Sequence, residues 1–185
     1  MHGVVMAELE AFANEAFGAE GFRTLLVDAG LGARVYAAHM TYPDEEVMAL
    51  VEAASRRLGT GPREVLEFFG RFMAPHLLAT YPSLVDPTWG TLDVLEHTEA
   101  AIHRVVRLRK PGATPPHLTV RRVGPGHAEL TYASSRGLCT LARGIVQGLA
   151  AHFHEAIDIE EAACMHRGAP ECLIHVRATA ARVAS

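Results

Sequence analysis

The apolar spacing of this chain first changes character at the breaker-rich stretch Lys110-Pro111-Gly112-Ala113-Thr114-Pro115-Pro116. Ahead of it, apolar residues recur with a helical period; behind it the period becomes two. Leu118, Val120 and Arg122 alternate, Gly124-Pro125-Gly126 makes a turn, and Ala128–Ser134 returns as the second arm of a hairpin. Gly137–Ala156 is helical again. Ile157–Ala163 and Cys172–Thr179 then read as two more strands around the turn at His166–Glu171. That order is α+β: a helical N-terminal lobe, then helices covering one face of an antiparallel sheet.

Within the helical part, Val4, Val5, Leu9, Phe12 and Phe17 place an amphipathic helix over 3–17. A second, short helix through Phe22, Leu25, Leu26 and Val27 stops at Gly30 and Gly32. Val35–Tyr42 is a connector, and Asp44 is placed to cap a helix that closes near Leu58–Gly59. The next begins near Pro62 and carries Val65, Leu66, Phe68, Phe69 and Phe72; Pro75 is expected to end or kink it. Trp89–Leu108 reads as one long helix.

Charge narrows the function. Lys+Arg number 17 against 21 Asp+Glu, a net charge of -4, which is no footprint for nucleic acid or an anionic membrane. The basic run Arg104, Arg107, Arg109, Lys110 is a solvated helix end favoured by the helix dipole. Neither a charged-then-apolar leader nor an apolar run of membrane-spanning length is present. Three cysteines, an odd number, suit a reducing compartment and a thiol or metal role better than a disulfide framework. A cytosolic domain is expected, long enough at 185 residues to bury a core.

Two constellations carry chemistry. If the second arm of the hairpin extends to 136, its period of two puts Tyr132, Ser134 and Arg136 on one face. A phenol, a hydroxyl and a guanidinium converging on one point suit a carboxylate. On the preceding helix, His103 stands among small and branched apolar neighbours, Ala100, Ala101, Ile102, Val105 and Val106. A carboxylate grip with a helical imidazole is what a buried haem needs, for its propionates and its iron. His97 points to another face and cannot readily share a metal with His103. His76, His117, His127 and the pair His152/His154 read as surface residues.

In this order and at this spacing the residues resemble the H-NOX family, the haem nitric oxide/oxygen binding domains of bacteria and of soluble guanylate cyclase. The start Met1-His2-Gly3-Val4-Val5 is similar to the family's short Met-x-Gly opening. Ile102-His103 followed by Gly112-Ala113-Thr114-Pro115-Pro116 is similar to its proximal-histidine helix and haem-pressing proline. Tyr132-x-Ser134-x-Arg136 is similar to its most specific signature. The resemblance covers nearly the whole length. It implies one haem domain over 1–185, a helical distal lobe over 1–60, a mixed proximal lobe over 61–185, and haem b buried between them.

Carried over residue by residue, the resemblance makes His103 the axial iron ligand. Tyr132, Ser134 and Arg136 become the propionate clamp, and Pro116 a contact on the haem plane. Val5, Leu9, Met73, Leu77, Leu141 and Ile145 become the distal wall. Oxygen-binding members carry a tyrosine where this chain has Leu141, so nitric oxide and carbon monoxide are the expected ligands. The resemblance also implies a binding switch, not an enzyme, read by a histidine kinase, a cyclic-di-nucleotide enzyme or a chemotaxis receptor. Some relatives hold zinc with three cysteines placed as Cys139, Cys164 and Cys172 are, and with a histidine where this chain has Glu161. Glu161 or His166 is then the candidate fourth ligand, and three ordinary half-buried thiols are the alternative. Two other functions compete: a haem-free, vinyl-reductase-type regulatory domain, which lacks a Soret band, and a haem peroxidase. The latter needs a distal acid or base that the matched positions do not supply.

Overall fold

The computed structural model describes residues 1–109 and 115–179. Helix α1 (Gly3–Phe17), α2 (Gly21–Asp28), α3 (Asp44–Leu58) and α4 (Pro62–Thr80) come first. After a single 3-10 turn at Pro82–Leu84 come α5 (Thr91–His97), a π-helical stretch (Thr98–His103) and α6 (Arg104–Arg109). Strands β1 (His117–Gly124) and β2 (His127–Ala133), helix α7 (Cys139–His152), and strands β3 (Ile157–Ala163) and β4 (Cys172–Ala178) follow. The sheet is antiparallel throughout in the order β1-β2-β4-β3. The α+β architecture is therefore as expected. Among the described residues, no helix is long and apolar enough to cross a membrane.

Two apolar cores form. One gathers Met6, Leu9, Phe12, Leu25, Leu50, Val51, Val65 and Phe69 from α1 to α4. The other lies beneath the inner face of the sheet, where Leu130, Ile174 and Val176 meet Leu92 and Leu95 of α5 and Val146 and Leu149 of α7. Helices α4 and α7 join the two, and glycines let their backbones touch. A Cβ on Gly144 would lie 2.2 Å from Glu67 O, one on Gly70 2.4 Å from Leu141 O, and one on Gly148 2.6 Å from Arg71 O.

That contact explains why α4 does not stop at Pro75, as its sequence suggested. Proline removes the bond to the carbonyl four residues earlier. That carbonyl, Arg71 O, is the atom Gly148 packs against, so the partner helix supports the weakened turn and α4 runs on to Thr80. The long helix expected over Trp89–Leu108 is also corrected. It begins only at Thr91, where Asp93 accepts from the Gly90 N–H at 2.9 Å, and it widens into a π turn that ends at His103. Asp44 is the first residue of α3, with Pro43 in the capping place. The first turn of α3 nonetheless carries Asp44, Glu45 and Glu46 and its last turn Arg56 and Arg57, the arrangement the helix dipole favours.

Candidate haem-binding site

A cavity of about 410 Å³ opens between the two cores, a size typical of small-ligand and cofactor sites. Its wall is mostly apolar. Val4 and Val5 come from α1, Met73 and Leu77 from α4, Leu141 and Ile145 from α7, Val94 and Leu95 from α5, and Leu118 and Leu130 from the sheet. Of the expected distal residues, Leu9 does not line it: at 1% exposure Leu9 is packed inside the helical core. Gly3, beside the cavity, sits where a Cβ would fall 2.1 Å from Ala37 O, so the Met-x-Gly opening answers a close backbone approach.

His103 lines the cavity at the end of the π stretch. Its Nδ1 lies 3.0 Å from Glu99 Oε2, one turn earlier, and Glu99 is also paired with Arg107. Burial pulls the imidazole below its ordinary pKa, against the raising effect of Glu99. The ring is therefore neutral at neutral pH, with Nδ1–H held by a carboxylate and Nε2 left as the donor for a metal. This carboxylate–histidine pairing is what metal-ligating histidines use. Burial alone would push Glu99 up, but hydrogen bonds from Arg107 and His103 hold its carboxyl below the usual range. Sequence reading passed over Glu99, although the i,i+4 spacing to His103 was a usable signal. His97 is turned elsewhere, stacked on Trp89 with ring centroids 4.2 Å apart.

Tyr132, Ser134, Arg136 and Pro116 all line the same cavity. They meet for a reason other than strand alternation, because β2 ends at Ala133. Ser134 opens a tight turn in which its Oγ accepts from Arg136 N at 3.3 Å and its carbonyl from Gly137 N at 3.1 Å. The Tyr132 hydroxyl accepts from Leu138 N at 3.2 Å, and burial raises its pKa. Arg136 Nε donates to Asp44 Oδ2 at 2.8 Å, so the first turn of α3 orients the guanidinium. His2, Tyr81 and Thr98 are further polar residues of the wall that sequence reading missed. Of the expected loop, residues Gly112, Ala113 and Thr114 lie outside the described residues.

One neutral, carboxylate-backed imidazole, three donors for acid tails and an apolar wall form a donor set that fits haem. Behind the cavity wall, packed against Tyr132, Leu118 and Ala142, Cys139, Cys164 and Cys172 are buried with their sulfurs all within 4.8 Å of one another. Cys139 Sγ and Cys164 Sγ are 3.9 Å apart. Burial and the neighbouring thiols push Cys139 up to about 12. Neither expected fourth ligand is turned to them. Glu161 Oε1 is paired with Arg167 at 2.6 Å, and His166 Nε2 lies 2.7 Å from Gly137 O.

The haem-NO-binding family model matches residues 2–161. An H-NOX protein from S. oneidensis in the Fe(II)NO ligation state is similar over 97% of this chain and 100% of that one, with 26% identity and a TM-score of 0.90. A mutant H-NOX from T. Tengcongensis is similar in fold, with 21% identity and a TM-score of 0.85 over 97% and 98%. So is an oxygen-binding H-NOX domain related to soluble guanylate cyclases, with 21% identity and a TM-score of 0.83 over 97% and 96%. No curated protein sequence matches. The chain belongs to the haem-NO-binding, or H-NOX, family of haem-binding gas sensor domains. The matched span ends at residue 161, so Cys164 and Cys172 lie beyond it.

Proposed function

We propose that this protein senses nitric oxide and carbon monoxide, binds little dioxygen, and passes the event to a partner protein. Leu141 carries the selectivity. Bound dioxygen bears partial negative charge and gains from a hydrogen-bond donor, whereas nitric oxide on ferrous iron needs little such help. Leu141, with Ile145, Met73, Leu77 and Val5, presents no donor to the cavity. Thr98, also in the wall, already donates its hydroxyl to Val94 O at 2.7 Å. The S. oneidensis relatives, in Fe(II)NO and Fe(II)CO ligation states, support the same reading. The test is the visible spectrum of reduced protein before and after nitric oxide, and again in air. A nitrosyl band without a stable oxy complex is expected. A lasting oxy complex overturns the reading, and its loss in Tyr81→Phe would identify Tyr81 as the donor.

When bound, haem supplies a ferrous iron with a coordination position open to a diatomic gas. His103 Nε2 would hold the iron, with Glu99 fixing the tautomer and ring orientation. Tyr132, Ser134 and Arg136 would hold the propionates, and Pro116 would bear on the ring face. Because His103 closes the π stretch and α6 follows directly, any change in the pull on its imidazole is felt by α6 and by the Glu99–Arg107 pair. A histidine kinase, a cyclic-di-nucleotide enzyme or a chemotaxis receptor in the cytosol would read that shift. The whole chain acts as one haem domain and a binding switch, with no residue in a catalytic role.

The thiol cluster is read as a zinc site. Two sulfurs on one tetrahedral zinc stand about 3.8 Å apart, given Zn–S near 2.3 Å. The observed 3.9 Å between Cys139 and Cys164 suits that shell. The fourth position falls to His166 or Glu161 only if one leaves its present partner. Metal analysis of anaerobically purified protein is expected to give one zinc per chain, lost in Cys164→Ser and on thiol oxidation. Zinc-free wild type with the same fold sinks this reading.

A further inference from the structure

The sheet's outer face carries a cluster that the haem site does not use. Ala128 and Leu130 of β2 and Ile174 and Val176 of β4 point into the core, so His127, Glu129, His175 and Arg177 face outward. In the register of β2 and β4, Glu129 stands directly across from His175; in that of β3 and β4, Glu160 stands across on the other side. His127 is the diagonal neighbour. Its Nε2 lies 3.2 Å from His175 Nδ1, and Glu129 Oε1 lies 3.8 Å from the same Nδ1.

We propose that His127 and His175, with Glu129 as the adjoining carboxylate, form a binding site for a divalent transition-metal ion on the outer face of the sheet. Two imidazole nitrogens at 2.0–2.1 Å from one tetrahedral zinc lie about 3.3–3.4 Å apart, and two adjacent octahedral ligands at that bond length about 2.9 Å. The observed 3.2 Å falls between these values. The rings are tilted by 48°, so a modest rotation converts a nitrogen-to-nitrogen hydrogen bond into two lone pairs aimed at one point. The shared proton then moves to the other nitrogen of its own ring, and the metal takes its place. Imidazole ligands select zinc, nickel or copper over magnesium or calcium.

Local charge also favours a cation, because Glu129, Glu160 and Asp158 outnumber Arg121 and Arg177, the two cations paired with them. The site is distinct from the thiol cluster. Cys172 is buried with the inner-face residues of β4, whereas His175 faces outward three residues, or about 10 Å of strand, further along. Helical spacing rules could not find it, because 48 residues separate the two histidines.

The test is calorimetric titration of haem-loaded, tag-free protein with nickel chloride, with magnesium chloride as the comparison salt. Wild type is expected to bind one nickel ion that His127→Ala and His175→Ala both lose, while His117→Ala on β1 keeps it. Glu129→Gln is expected to retain the ion with several-fold weaker affinity. Far-UV circular dichroism checks that each variant keeps its fold. No nickel uptake by wild type, equal uptake by both histidine variants, or equal binding of magnesium overturns the proposal.

Discussion

Reduced His103→Gly protein is expected to lose its axial nitrogen and to hold haem only when free imidazole is supplied. His103 is the histidine in the cavity whose Nδ1 is tied to a carboxylate, at 3.0 Å from Glu99, with its other nitrogen left for a metal. Removing a supporting partner of a metal-bound histidine costs roughly 10–100-fold in affinity. Removing the histidine itself must cost more, and Glu99→Gln should fall within that smaller range. The two variants also separate by titration. Glu99 raises the pKa of His103 against the dominant effect of burial, so Glu99→Gln should drive it lower still. Nitrogen NMR of the apoprotein reads that shift without any haem signal. A folded-state value below the ordinary one means the unfolded chain binds the proton first, so this histidine's contribution falls as pH drops through about 6.5. Unchanged axial ligation in His103→Gly would refute the assignment.

Gly144→Leu is expected to abolish folding or leave an insoluble chain. A single methyl at this position already meets Glu67 O at 2.2 Å, and that atom is backbone, not a flexible side-chain end. Overpacking of this kind costs about 1–3 kcal/mol. Gly144→Ala should therefore lower the unfolding free energy, read from the shift of the urea midpoint, by that order, a large share of the roughly 5–15 kcal/mol that holds a domain together. Leucine adds three more carbons to the same closed seam. Ala151→Leu is the control: it lies on the exposed side of the same α7 and should change stability by no more than about 0.5 kcal/mol. Because α4 and α7 also carry Met73, Leu77, Leu141 and Ile145, a seam forced apart by Gly144→Ala should disturb ligand binding as well. Equal melting of Gly144→Ala and wild type would contradict the packing described.

The helices that ended on glycine or began on proline were legible because the stop is local. Thus α1, α2 and α3 fall where apolar period and punctuation place them. Pro75 misled because its compensation comes from α7, 73 residues later at Gly148. The π turn ending at His103 was not legible because Thr98–His103 carries no glycine or proline to mark a break in the helix. In the site, Tyr132, Ser134 and Arg136 were found by alternation but are assembled by a turn and by Asp44. Leu9 was misplaced because periodicity says which face is apolar, not whether that face meets core or cavity.

The cavity's walls belong to both cores, which ties cofactor loading to the melting of the whole domain. At roughly 24 cal/mol per Å³, keeping 410 Å³ rigid and dry would cost about 10 kcal/mol, comparable with a domain's entire stability. A chain stripped of haem must therefore admit water or contract around the space. Saturation should raise the unfolding temperature by mass action, so cellular haem supply sets how much sensor survives as well as how much is armed.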